Sequence, residues 1–168
     1  MLSSKEGLIL LSGTTSVTAF ASLAIYDAQT LSLTADIAGS FTLEVLKGTL
    51  MAMDERLMAV RPHPDQINTA ANIRAILKDS PMLERCRGHR VQDALSIRCM
   101  PQLHGPVKKA VKDAQATLAI ELNSSVDNPL IFDEEDGGAV ALMGCNADGT
   151  LCRYASDNLC IAITDLCK

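Results

Sequence analysis

The chain has 168 residues, with 15 Lys plus Arg against 20 Asp plus Glu, a formal charge of −5. Hydrophobic residues make up 48% and aromatics 3%, with no Trp. A chain this apolar is not intrinsically disordered, and a net acidic one is a poor match for nucleic acid or an anionic membrane surface. A core without aromatics must come from Ala, Leu, Ile, Val and Met, which suits closely packed helices better than a sandwich of sheets. The expectation is a single helical domain over 1–168, all-α, a long-helix bundle with one small β-hairpin.

In chain order, Ser12-Gly13-Thr14-Thr15 reads as a turn opening a long helix, or two nearly collinear ones, to about Leu46. Thr14, Thr15 or Ser16 is its expected cap, Gly39 a kink and Gly48 a terminator. Its many Ala, Ser and Gly residues allow close helix packing. Asp54 is placed to cap a short helix through Ala59, which Pro62 and Pro64 end. Pro64 suits the first turn of a helix over 65–78. Residues 79–100, with Pro81, Gly88, His89 and three arginines (Arg85, Arg87, Arg90), read as a loop and a turn of helix.

Val107 to Leu122 has amphipathic spacing, with Pro106 in its first turn and Lys108, Lys109, Lys112 and Asp113 on a solvated face. Residues 130–132 and 139–142 alternate as a hairpin around an acidic turn, 133–136, that lacks the ligand spacing of a calcium loop. A last helix follows Gly149. No apolar run reaches the roughly 18–20 residues of a membrane span, and no leader peptide is read. The six cysteines form no Cys-x-x-Cys pair, so no metal site is expected. Cys152, Cys160 and Cys167 read as a helix–helix seam, and a reducing cytoplasm is the default compartment.

Two polar clusters remain. Gln92, Asp93, Ser96, Arg98 and Gln102 sit among apolar neighbours, and an Arg in that setting can take a carboxylate in a bidentate fork. Glu121, Asn123, Asp127 and Asn128 form the second. From the residues alone, buried turn networks suit both better than catalysis does.

Five runs, in order, carry a resemblance. Lys5 to Thr14 is similar to KEGLALxNGT, Arg61 to Gln66 to RPHPGQ, and Gln92 to Gly105 to QDPYSLRCMPQVHG. Asn123 to Leu130 is similar to NSVTDNPL, and Gly144 to Gly149 aligns with GGNFHG. Together they resemble the histidine ammonia-lyase branch of the aromatic amino-acid lyases, and the chain resembles a central segment of that fold. The resemblance implies elimination of ammonia from an aromatic amino acid, giving urocanate from L-histidine. It implies an all-α homotetramer and a methylidene-imidazolone electrophile formed autocatalytically from Ala-Ser-Gly.

By the same resemblance, Arg98 is the carboxylate-binding Arg, while Gln92 and Asn128 are substrate-orienting amides. Three family site positions are degenerate: Ser12 replaces an Asn, Leu95 a proton-moving Tyr, and Ala147 a Phe. Ala-Ser-Gly occurs nowhere in the chain, and in the family it precedes the Lys5–Leu8 run. The expectation is therefore no cofactor and no catalytic residue in this chain, and no lyase activity from it alone. The alternative is a non-catalytic helical oligomerisation or interaction module. A homo-oligomer is expected independently, because the small-residue helix leaves apolar surface to cover.

Overall fold

The computed structural model describes residues 1–85 and 90–167. Cys86, Arg87, Gly88 and His89, part of the expected loop, lie outside the described residues. Helix α1 (Glu6–Leu11) precedes α2 (Thr15–Val45). A 3-10 turn (Leu50–Met53) leads to α3 (Glu55–Ala59), α4 (Pro64–Ile76) and α5 (Pro81–Arg85). Then come α6 (Leu95–Arg98), α7 (Met100–Leu122), the hairpin β1 (Leu130–Asp133) and β2 (Ala139–Leu142), and α8 (Thr150–Leu166). The strands pair antiparallel, Leu130 opposite Leu142, around an exposed turn in which Asp136 accepts from the Gly138 N–H.

Local chemistry sets the boundaries. Asp54 caps α3 by accepting from Arg56 N at 2.8 Å. Pro64 occupies the first turn of α4, where its missing N–H costs no bond. α2 runs unbroken through Gly39. That glycine provides contact room: an added Cβ would collide with the Met100 sulfur of α7. Past the end of α2, the left-handed position is taken by Lys47 (φ 54°), and Gly48 only closes the turn, donating to Leu43 O at 2.9 Å. Thr14 sits at the cap position of α2 without a capping bond, because its hydroxyl donates 2.8 Å to Glu121 Oε2 at the far end of α7.

Two expectations about α7 are corrected. The helix begins at Met100, so Pro106 lies inside it. Lys108 is not on a solvated face; it is buried against Asp36. The other two lysines remain outside, Lys109 paired with Asp113 at 2.5 Å and Lys112 with Asp65. The short helix α5 occupies part of the expected loop, where five residues carry little periodicity.

The core has two apolar clusters on one long frame. Ala21, Ile25 and Ala28 of α2 meet Ala110, Val111, Ala114 and Leu118 of α7 and Leu159 of α8. Farther along α2, Leu43 packs with Met53, Met58, Ala70, Ile73, Leu77 and Met100. Between them lies a polar layer: Ser32, Asp36 and Ser40 of α2 are all buried. Neither cluster contains an aromatic residue. α4 crosses α7 closely enough that a Cβ on Gly105 would lie 2.8 Å from Gln66 N.

The cysteine seam is corrected in part. Eight residues turn an α-helix about 80° beyond two full turns, so Cys160 leaves the stripe that Cys152 starts. Cys152 is buried, 3.9 Å from the Thr18 hydroxyl, while Cys160 and Cys167 are exposed and Leu159 takes the next seam position. The expectation about membrane-span length is also corrected: the helical stretch Glu6–Val45 is long and apolar enough to cross a bilayer, by length and composition. A bundle helix meets the same measure, and this one carries Asp36 bonded to α7.

Candidate functional site

The residues expected to form one site fall at two ends of the bundle. At the first end, the α6–α7 junction borders a cavity of about 540 Å³. Gln92, Asp93, Leu95, Arg98 and Gln102 line it, with Arg61, and with Met51, Leu57 and Val60 as apolar wall. Short helix α6 aims Arg98 here because Ala94 O accepts from Ile97 and Arg98 N–H groups, closing one turn. The loop before it is pinned by Asp93, which is buried and accepts from Thr49 N at 2.7 Å.

Arg98 Nη1 donates to the side-chain oxygen of Gln92. Among the described residues no carboxylate pairs with Arg98, so its charge is not neutralised by an internal partner. Its Nε is buried and has no hydrogen-bond acceptor, and neither does the buried side-chain oxygen of Gln102 have a donor. A guanidinium whose hydrogen-bond partner is a neutral amide keeps its charge for pairing with a carboxylate. Leu95 is exposed at the cavity and has no proton to give.

At the second end, Ser12 follows α1, and Asn128 and Ala147 flank the hairpin. Asn128 is engaged at both atoms of its amide: Nδ2 donates to Gly144 O at 2.8 Å, and Oδ1 accepts from Gly144 N at 3.3 Å. Lys5 Nζ lies 3.3 Å from Asp127 and donates to Pro129 O at 2.5 Å, tying the first turn of the chain to this loop. Asp148 is held below the usual carboxylate range by the Thr150 hydroxyl and N–H at the start of α8. The expected grouping is thus half met. Gln92 and Arg98 are together, whereas Asn128 lies beyond the 23-residue α7, about 34 Å of helix away.

The buried layer between the ends was missed by sequence reasoning. Asp36 has 0% exposure. It is hydrogen-bonded to His104 Nδ1 at 2.8 Å, and accepts from Asn72 Nδ2 at 2.8 Å and from Lys108. Burial pushes its carboxyl up, but the hydrogen bonds from His104, Lys108 and Asn72, with the Lys108 charge, outweigh burial and hold it below the ordinary range. The available signal was a four-residue spacing: Ser32, Asp36 and Ser40 on one stripe of an apolar helix, and His104 and Lys108 on another.

Known proteins resemble the chain along its whole length. The family profile described as "Aromatic amino acid lyase" matches residues 1–168. The histidine ammonia-lyase of Sorangium cellulosum is 46% identical over 168 residues, which is 98% of this chain and 33% of that protein. That of Caldanaerobacter subterraneus is 42% identical over 165 residues, 98% of this chain and 32% of that protein. The chain therefore spans about a third of the length of these relatives. Among solved structures, histidine ammonia-lyase from Trypanosoma cruzi superposes with a TM-score of 0.84 at 33% identity, covering 99% of this chain and 30% of that one. Tyrosine aminomutase from Streptomyces globisporus gives 0.87 at 32%, covering 98% and 34%. The all-α, long-helix architecture with one hairpin is a segment of that shared fold.

Proposed function

The chain belongs to the aromatic amino acid lyase family, and on that premise we propose that it forms the carboxylate-gripping wall of a histidine ammonia-lyase site. The observation that carries this reading is Arg98: a guanidinium on a neutral amide, without a carboxylate partner among the described residues, at a cavity of about 540 Å³. Histidine's carboxylate takes the guanidinium, and the apolar wall from Met51, Leu57 and Leu95 faces the rest of the molecule.

The second group of family positions, Ser12, Asn128 and Ala147, stands at the other end of α7. One chain cannot bring it to Arg98, so a complete site takes the two groups from different copies. Phe20, Leu23, Leu33, Ile37 and Phe41 are exposed along α2 and provide apolar area for such a homo-oligomer. A tetramer is the family's arrangement. The five cysteines among the described residues are all free, which fits a reducing, cytoplasmic setting.

A methylidene-imidazolone needs Ala-Ser-Gly, and the chain has none. Leu95 offers no titratable group. The chain alone therefore binds but does not eliminate. Incubation of the purified chain with L-histidine is expected to give no urocanate absorbance above the blank; release of urocanate contradicts this. Leu95 and Ala147 also suit the alternative of a helical interaction module with no ligand, which predicts no histidine binding at all.

A further inference from the structure

Two buried polar atoms at the cavity have no partner: Arg98 Nε, a donor, and Gln102 Oε1, an acceptor. They belong to residues four apart, on the last turn of α6 and the first turn of α7, and both residues line the same cavity. Of the other buried side-chain atoms without a hydrogen-bond partner among the described residues, Thr69 Oγ1 and the two oxygens of Asp127, none lines this cavity. A buried orphan donor and a buried orphan acceptor on one cavity wall are each costly unpaired, and each offers what the other lacks. Meanwhile Nη1 is turned to Gln92, whose side chain is exposed on the loop before α6.

We propose that Gln102 is the positioning residue for Arg98: when a carboxylate arrives, Arg98 releases Gln92, donates Nε–H to Gln102 Oε1, and presents its two Nη groups to the ligand. This rests on the reading of Arg98 as the carboxylate grip and adds what aims it. With Nε–H occupied from behind, only the Nη edge of the planar fork is left for a bidentate contact. Gln92 then serves as the resting partner of the free state. No covalent step is involved; one bond from the guanidinium to a neutral amide is exchanged for another, and an ion pair with the carboxylate is added.

The test uses the whole chain with L-histidine and with histamine, which differs by lacking the carboxylate. The wild type is expected to prefer histidine, and Gln102→Met, of similar length without an acceptor, to lose about tenfold in histidine affinity with histamine binding unchanged. Gln102→Glu places an anion beside Arg98 and is expected to lose more. Retained preference in both variants overturns the positioning role while leaving the Arg98 reading intact. Absence of preference in the wild type overturns both. A measurement without substitution guards against misfolded variants: solvent exchange of the Arg98 Nε–H in the wild type is expected to slow on adding histidine. Unchanged exchange under saturating histidine overturns the proposal.

Discussion

The imidazole Nδ1 of His104 lies 2.8 Å from Oδ1 of Asp36, joining the two longest helices of the bundle across a layer that separates its two apolar clusters. The second oxygen of Asp36 takes Lys108 and Asn72. A carboxylate with no exposure is tolerable only because both of its oxygens are hydrogen-bonded, one of them to a cation. The layer fixes the axial register of α2 on α7, since sliding either helix by one turn would strand the charges in an apolar cluster.

Removing one partner should therefore be costly. Asp36→Ala leaves Lys108 buried without its anion and is expected to destabilise the chain by about 3–5 kcal/mol, read from the urea midpoint. The double variant Asp36→Leu with Lys108→Met is expected to recover much of the loss, because no uncompensated charge remains. Equal losses in single and double variants would show that the pair is not coupled.

Acid should weaken the fold through the same residue. The folded-state pKa of Asp36 is depressed, so the folded chain binds fewer protons than the unfolded one in the acid range. Its contribution is present above the ordinary carboxylate value of about 4 and is lost as pH falls through the folded value. Urea melts from pH 6 down to pH 2 are expected to show this decline, reduced in Asp36→Asn. Asp54 and Asp148 are depressed too, by Arg56 and Thr150, but both are at the surface and contribute little.

The α4–α7 crossing makes a steric prediction. An added methyl at Gly105 meets Gln66 backbone atoms at 2.8 and 2.9 Å, so Gly105→Ala must push two helices apart. Overpacking of this kind costs about 1–3 kcal/mol. Because Gln66 also accepts from Arg61 at 3.3 Å and lines the Arg98 cavity, the variant is expected to weaken histidine binding as well as lower the melting temperature.

How far the sequence could be read follows from what each element encodes locally. The Asp54 cap, the Pro64 start, the hairpin and the extent of α2 each rest on neighbours in sequence, and they were legible. Pro106 was misleading because a proline fits a helix start, yet α7 extends a turn and a half before it. Lys108 was misread because burial is a tertiary fact: its partner Asp36 is 72 residues away. The pairing of Gln92 with Arg98 was within reach of spacing and resemblance. The distance of Asn128 from them was not, since motif order says nothing about which end of a long helix a residue occupies.

The most direct test is calorimetric titration of L-histidine and histamine into the wild-type chain and Arg98→Met. The account predicts that the wild type favours histidine by roughly tenfold or more and that Arg98→Met binds the two alike. Equal wild-type affinity for both, or a histidine preference that survives loss of the guanidinium, would contradict it.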